Sequence, residues 1–151
     1  MNLKELLNHD LVENNVEVED WEDAVRAVGK LMVQSGAVEK RYIDGMIRTA
    51  KELGPYIVVA PGIALPHSRP EDGVKRTCMA FITLKKPVEF GNEINDPVDL
   101  VVAFGAVDKK QHIEALRDLA TILGDKKNVQ SLREAKNTEE LLKIIWSQEA
   151  K

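Results

Sequence analysis

At 151 residues the chain fits one domain, 1–151, and is long enough to bury most of the surface it exposes when unfolded. Hydrophobic residues make up 44% and charged residues 30%, an ordinary globular balance, and a net charge of −4 with both signs interspersed disfavours nucleic acid, whose phosphates demand concentrated Lys and Arg. The single Cys78 excludes an internal disulfide and indicates a reducing compartment; Met1 to Asp10, with Lys4 and Glu5, lacks the apolar core of a signal peptide, and no run approaches the roughly 18 apolar residues of a membrane span, so the expected location is the cytoplasm.

The first strong helix is predicted from Asp20, a good N-cap, with Glu22 and Asp23 in its positive first turn. Its apolar positions Ala24, Val25, Val28, Leu31 and Met32 follow the spacing of one buried face, and Gly36 stops it. A second helix follows from about Glu39, with Tyr42, Ile43, Met46, Ile47, Ala50 and Leu53 inward and Gly54-Pro55 at its end.

The pattern then changes to short apolar runs. Tyr56 to Ala60 and Ile63 to Leu65 are predicted strands, broken by a turn at Pro61-Gly62. Cys78 to Leu84 and Val98 to Ala106 are continuous apolar runs of strand length, as in strands covered on both faces. Lys85 to Pro97 reads as a connection around a short segment at Val88 to Phe90. From about Lys110 the helical period returns, with Ile113, Leu116, Leu119, Ala120 and Leu123 inward and Gly124 at the stop. A short helix at Val129 to Ala135 follows, then a last one from Asn137, with Glu140 in a capping-box-like position and Leu141, Leu142, Ile144 and Ile145 buried. Two helices, a block of strands and three helices imply an α/β three-layer sandwich, a mixed central sheet flanked by helices. The order is not a regular β-α alternation, and no Gly-rich nucleotide loop is present.

Three histidines occur, His9, His67 and His112. His67 ends the run Gly62-Ile63-Ala64-Leu65-Pro66-His67, where the apolar residues fix the backbone by burial and Pro66 restricts the exit. Imidazole is the one side chain that titrates near neutrality, so a histidine held in this way suits a base, a metal ligand or a phosphoryl acceptor. The bland alternative is a strand-end histidine bonded to backbone. Ser68 and Arg69 place a hydroxyl and a cation directly alongside, a rim suited to an anion. His112 lies on the first turn of the helix after the Val98 strand, and a strand end and an adjoining helix start often line one crevice. His67 and His112 are therefore expected to face each other across it.

His9, in the polar stretch Asn8-His9-Asp10, is expected at the surface, and Cys78 reads as a buried, inert thiol. Adjacent Ser68 cannot use His67 as its base, which disfavours a Ser-His-acid triad. Two histidines with Asp99 or Asp108 form a weaker metal-binding alternative, since neither HxxxH nor HxH spacing appears.

The run Val59-Ala60-Pro61-Gly62-Ile63-Ala64-Leu65-Pro66-His67, with Glu52 seven residues before Val59, resembles the phosphorylation-site motif of type 2 enzyme IIA components of the bacterial phosphoenolpyruvate-dependent sugar phosphotransferase system. The similarity extends over nearly the whole chain, to His112 followed by Leu116 and Leu119. Ser68 is a departure, since Gly, Ala or Cys usually follows the histidine. The resemblance implies that His67 takes a phosphoryl group from the phosphocarrier protein HPr, usually on Nε2. It further implies that the group passes to a cysteine of enzyme IIB, and through it serves the membrane enzyme IIC. It makes His112 the supporting histidine, with Ser68 and Arg69 at the phosphoryl and partner site. Neither metal, nucleotide nor other cofactor is required by that chemistry, and no residue here would touch the sugar.

Mannitol- and fructose-type members carry an Arg-Glu pair in the second helix, and the stretch Ile47-Arg48-Thr49-Ala50 does not set Arg48 securely on that arginine. Lys51 to Tyr56, His67 to Gly73 and Asp96-Pro97-Val98-Asp99 look more like the ascorbate-specific branch. Besides the transport relay, the sequence leaves open a regulatory phosphocarrier of the same fold, a metal-dependent hydrolase using His67, His112 and an acid, and a non-catalytic interaction domain.

Overall fold

The apolar runs assemble, together with one polar segment, into a single five-stranded sheet. The computed structural model describes residues 6–147; Lys4 and Glu5, which contribute to the reading of the N-terminus, lie outside them. In chain order the elements are β1 (Val12–Val16), α1 (Trp21–Gln34), α2 (Arg41–Leu53), β2 (Val58–Ala60), β3 (Ile63–Ala64), β4 (Cys78–Val88), β5 (Val98–Gly105), α3 (Lys109–Leu123), α4 (Lys126–Glu134) and α5 (Thr138–Ser147). The sheet order is β1-β4-β5-β3-β2. β1 runs parallel to β4 and β3 parallel to β5, while β4–β5 and β2–β3 are antiparallel, so the sheet is mixed.

Every residue of β5 from Leu100 to Gly105 is buried, which for alternating side chains requires cover on both faces. Helix α1 packs on β4 and β5 and carries α2 with it; α3, α4 and α5 pack in series, and α5 lies along β1. The α/β three-layer sandwich expected from the sequence is the observed architecture. Among the described residues no helix is long and apolar enough to cross a membrane.

Local signals act as read for α1, where the Asp20 side chain accepts from the Asp23 N–H at 2.8 Å. At α5 the Asn137 side chain accepts from Glu140 N–H at 2.9 Å, while the Glu140 carboxylate takes Lys136 N–H. Several readings change: Leu53 and Tyr56 are exposed, β2 begins only at Val58 after a tight turn through Gly54 to Ile57, and β4 runs on through Lys85 to Val88. β1, with sequence Val-Glu-Asn-Asn-Val, has no apolar run to betray it; it is held at the sheet edge by side chains, Thr83 Oγ1 bonding Asn14 and accepting from Asn15 N–H at 2.8 Å. In α3 the buried stripe is Ala115, Leu119 and Ile122, which leaves Ile113, Leu116 and Ala120 outward. Ala115 and Ile122 thus join Leu119 in the core in place of Ile113, Leu116 and Ala120, because tertiary packing selects a face offset from the most apolar one.

The β2–β3 turn fixes where the chain enters its most distinctive segment. Gly62 has φ +75°, a left-handed conformation favouring glycine. Its N–H donates to Asn95 O at 2.9 Å, and its carbonyl accepts from Asp99 and Leu100 N–H at 3.0 Å. Arg133 of α4 reaches over this turn, donating from Nε to both Asp99 carboxylate oxygens at 3.0 Å and from Nη2 to Pro61 O. A Cβ on Gly62 would collide with Arg133 Nη2 and lie 2.8 Å from Asp99 Oδ1. Gly62→Ala is therefore expected to destabilise by about 1–3 kcal/mol, from backbone strain and loss of the Arg133 clamp. Urea unfolding measures this, and an unchanged midpoint would contradict it.

Candidate active site

Leaving β3, the chain runs alongside the end of β5. Leu65 N–H donates to Ile57 O at 2.9 Å, and Phe104 N–H to Pro66 O at 3.3 Å. This brings His67 against Phe104, whose ring it stacks on with centroids 5.0 Å apart and planes 20° from parallel. His112 approaches from the start of α3, its centroid 5.1 Å from Phe104 and 5.8 Å from His67, edge-on to the latter. The crevice expected between strand end and helix start is thus present, and its floor is the buried Phe104.

The orientation of His67 follows from one hydrogen bond. Its Nδ1 lies 2.8 Å from the carbonyl oxygen of Leu65. A carbonyl only accepts, so Nδ1 carries the proton, and the neutral ring keeps its free lone pair on Nε2. This is the backbone bond of the bland reading, yet it leaves the second nitrogen of a half-buried ring available for chemistry. His112 is shifted below the ordinary histidine value of 6.5, first by burial and then by the neighbouring His67, both of which disfavour its imidazolium form.

Tyr42 of α2 pins the backbone of the next residue. Its hydroxyl accepts from Ser68 N–H at 2.9 Å and lies 2.9 Å from Phe104 O and 3.1 Å from Ser68 O, the acceptors for its own proton. Burial raises its pKa, so it remains a neutral phenol. Each such bond contributes about 1 kcal/mol, and stranding its partner inside the protein would cost more.

Ser68 and Arg69 both line a cleft of about 530 Å³ with His67, His112, Thr49, Leu53, Val107 and Lys109. Ser68 itself is 5% exposed, and its Oγ is committed to Asp72 and, at 3.0 Å, to Thr49 Oγ1. It makes no triad with His67. Arg69 is 70% exposed at the rim, its Nε 3.8 Å from Asp72 Oδ2. Asp99 is engaged by Arg133, and Asp108 caps α3 through Gln111 N–H at 2.8 Å, so neither carboxylate joins the two histidines. Among the described residues no three His, Cys, Asp or Glu side chains gather as a metal site. His9 is exposed, and Cys78 is buried with its thiol pushed up to about 12.

Phe104, Tyr42 and Asp72 were not legible as site residues. Phe104 is hidden inside an apolar strand run, and Tyr42 fits the buried stripe of its helix. Asp72 had one available signal: Gly45, mid-helix in α2, where an added Cβ would lie 3.0 Å from Asp72 Cβ and 3.1 Å from Ser68 Oγ. A glycine at such a position marks a close approach by another segment.

The family model described as phosphoenolpyruvate-dependent sugar phosphotransferase system, EIIA 2, matches residues 5–148. The ascorbate-specific PTS system EIIA component of Shigella flexneri is 41% identical over 145 residues, covering 92% of this chain and 94% of its own. The protein of the same name from Escherichia coli K12 is 40% identical over 130 residues, 85% of this chain and 84% of its own. Among solved structures, the mannitol-specific cryptic phosphotransferase enzyme IIA CmtB from Escherichia coli superposes with TM-score 0.87 at 28% identity, over 97% of this chain and 99% of that one. The complex of enzyme IIAMTL and phosphorylated enzyme IIBMTL from Escherichia coli matches with TM-score 0.81 at 26% identity, over 93% and 97%.

The His112 environment sets a sign for pH dependence. Its folded-state pKa lies below the unfolded one, so the unfolded chain binds the extra proton more readily as pH falls through 6.5. His112 thus costs stability on the acid side and nothing above that value. We expect the His112 ring to titrate below 6.5 by NMR, and His112→Gln to lose less stability than the parent between neutral and acid pH. A midpoint above 6.5 would contradict this arrangement of the rings.

Proposed function

The chain belongs to the type 2 EIIA family of the phosphoenolpyruvate-dependent sugar phosphotransferase system, and on that premise we propose that His67 carries the phosphoryl group, on Nε2. The protein is a phosphotransferase of this phosphoryl relay. The observation that carries the residue assignment is the 2.8 Å bond from His67 Nδ1 to Leu65 O, which leaves Nε2 as the nucleophile of a ring braced on Phe104.

The donor is phosphorylated HPr. As the Nε2 lone pair forms a bond to phosphorus, the bond from phosphorus to the HPr donor atom breaks and its electron pair stays with HPr. In the second step a cysteine thiolate of enzyme IIB attacks the same phosphorus, and the P–Nε2 pair returns to His67. Transfers of this kind depend on in-line positioning and charge stabilisation more than on covalent help. A neutral His112 can turn an N–H toward the phosphoryl oxygens, and Arg69 adds a cation at the rim. Ser68 serves through its backbone, held by Tyr42, and through its tie to Asp72.

A protein partner is supported by the surroundings of the cleft. Leu53 and Val107 line it while remaining partly exposed, and Ile113 and Leu116 stand outward on α3 beside His112, apolar area that a docked protein would cover. The relative solved with phosphorylated enzyme IIB supports enzyme IIB as that acceptor. The sugar we assign is ascorbate, from the names of the relatives near 40% identity, with residues 1–151 acting as one cytoplasmic domain coupled through enzyme IIB to a membrane enzyme IIC.

Incubation with phosphoenolpyruvate, enzyme I and HPr is expected to add one acid-labile, base-stable phosphoryl group, and His67→Ala to abolish it. Full labelling of His67→Ala, or none of the parent while HPr is itself phosphorylated, would overturn the assignment.

A further inference from the structure

One carboxylate behind the site is shared by a hydroxyl and two cations. Asp72 Oδ2 receives the Ser68 hydroxyl, Arg48 Nη2 at 2.9 Å and Arg69 Nε at 3.8 Å. The Asp72 side chain is 14% exposed, whereas Arg48 and Arg69 are 50% and 70% exposed. The helix face that receives it is built for close approach: Gly45 of α2 lies against Asp72, and one turn on come Arg48 and Thr49, the latter bonded to the same Ser68 hydroxyl. The two cations are not held alike. Arg48 is in direct contact, while Arg69 is at the limit of an ion pair and on the cleft that holds His67.

Resting on the assignment of His67 as the phosphoryl carrier, we infer that Asp72 is a positioning residue that parks Arg69 at the rim and yields it to the phosphoryl group. Before transfer, Arg69 rests loosely beside Asp72. After transfer, a dianion stands on His67, two residues away in sequence and on the same cleft. Its oxygens offer a guanidinium more charge and better acceptors than a carboxylate oxygen already occupied by Arg48 and Ser68. Arg69 leaves its loose ion pair with Asp72 and donates an N–H to a phosphoryl oxygen, while Arg48 remains to keep Asp72 paired. No covalent bond changes in this exchange. Its consequence is that Asp72 limits how tightly Arg69 holds the phosphoryl group, which keeps that group transferable.

A double-mutant cycle on the full chain tests this. The parent, Asp72→Asn, Arg69→Ala and the double variant are phosphorylated with phosphoenolpyruvate, enzyme I and HPr, and the spontaneous loss of phosphohistidine is followed by 31P NMR. Asp72→Asn is expected to lengthen the phosphohistidine lifetime about threefold or more, the size of a direct side-chain coupling, and Arg69→Ala to shorten it. In the Arg69→Ala background Asp72→Asn should have no effect. An equal Asp72→Asn effect in both backgrounds, or none in the parent background, overturns the inference while leaving the His67 assignment standing. Absence of phosphohistidine on the parent chain overturns both. A second measurement needs no Asp72 variant: on the parent chain the Arg69 Nε–H resonance should shift on phosphorylation and the Arg48 resonance should not. An unmoved Arg69 resonance also overturns it.

Discussion

The chemistry proposed for this protein depends on a hydrogen bond from a histidine to the carbonyl two residues before it. By giving its Nδ1 proton to Leu65 O, His67 is left with a defined tautomer, a defined ring plane and a lone pair on Nε2. The ring lies on Phe104 and meets His112 edge-on, so its second nitrogen is held by packing and not by a further polar partner.

That bond lies within one short segment, and much of the polar structure around the site holds the backbone from Pro61 to Ser68. At one end the Gly62 turn is clamped by Asn95, Asp99 and Arg133. In the middle, Leu65 and Pro66 are tied to Ile57 and Phe104. At the far end Tyr42 holds Ser68 by its N–H and lies beside its carbonyl oxygen. Three elements distant in sequence, α2, β5 and α4, thereby converge on the segment from Pro61 to Ser68. A rigid mount of this kind suits transfer between two proteins, because each partner meets the same nitrogen in the same place.

The sequence was informative where one residue type carries the constraint. Pro66 before His67 and Gly62 at the turn are local signals, and the helix caps at Asp20 and Asn137 are likewise local. The α/β sandwich followed from the change between helical and strand periods. What escaped were features decided by tertiary contact. β1 is polar in sequence and is a strand only because Thr83 and β4 receive it. α3 turns a face different from its most apolar one inward, leaving Ile113 and Leu116 free beside the site. Phe104 and Tyr42 look like core residues, and they are; their further roles arise because the site is built against the core. Asp72 and Arg48 meet across 24 residues of chain, which no local pattern encodes.

The proposed relay rests on which atom of His67 bears the phosphoryl group. With histidine labelled in 15N, the phosphorylated chain can be examined for one-bond 31P–15N coupling and the ring nitrogens assigned by their long-range proton correlations. The structure predicts the coupling at His67 Nε2, with Nδ1 still protonated. Coupling at Nδ1, or at a ring nitrogen of His112, would contradict it.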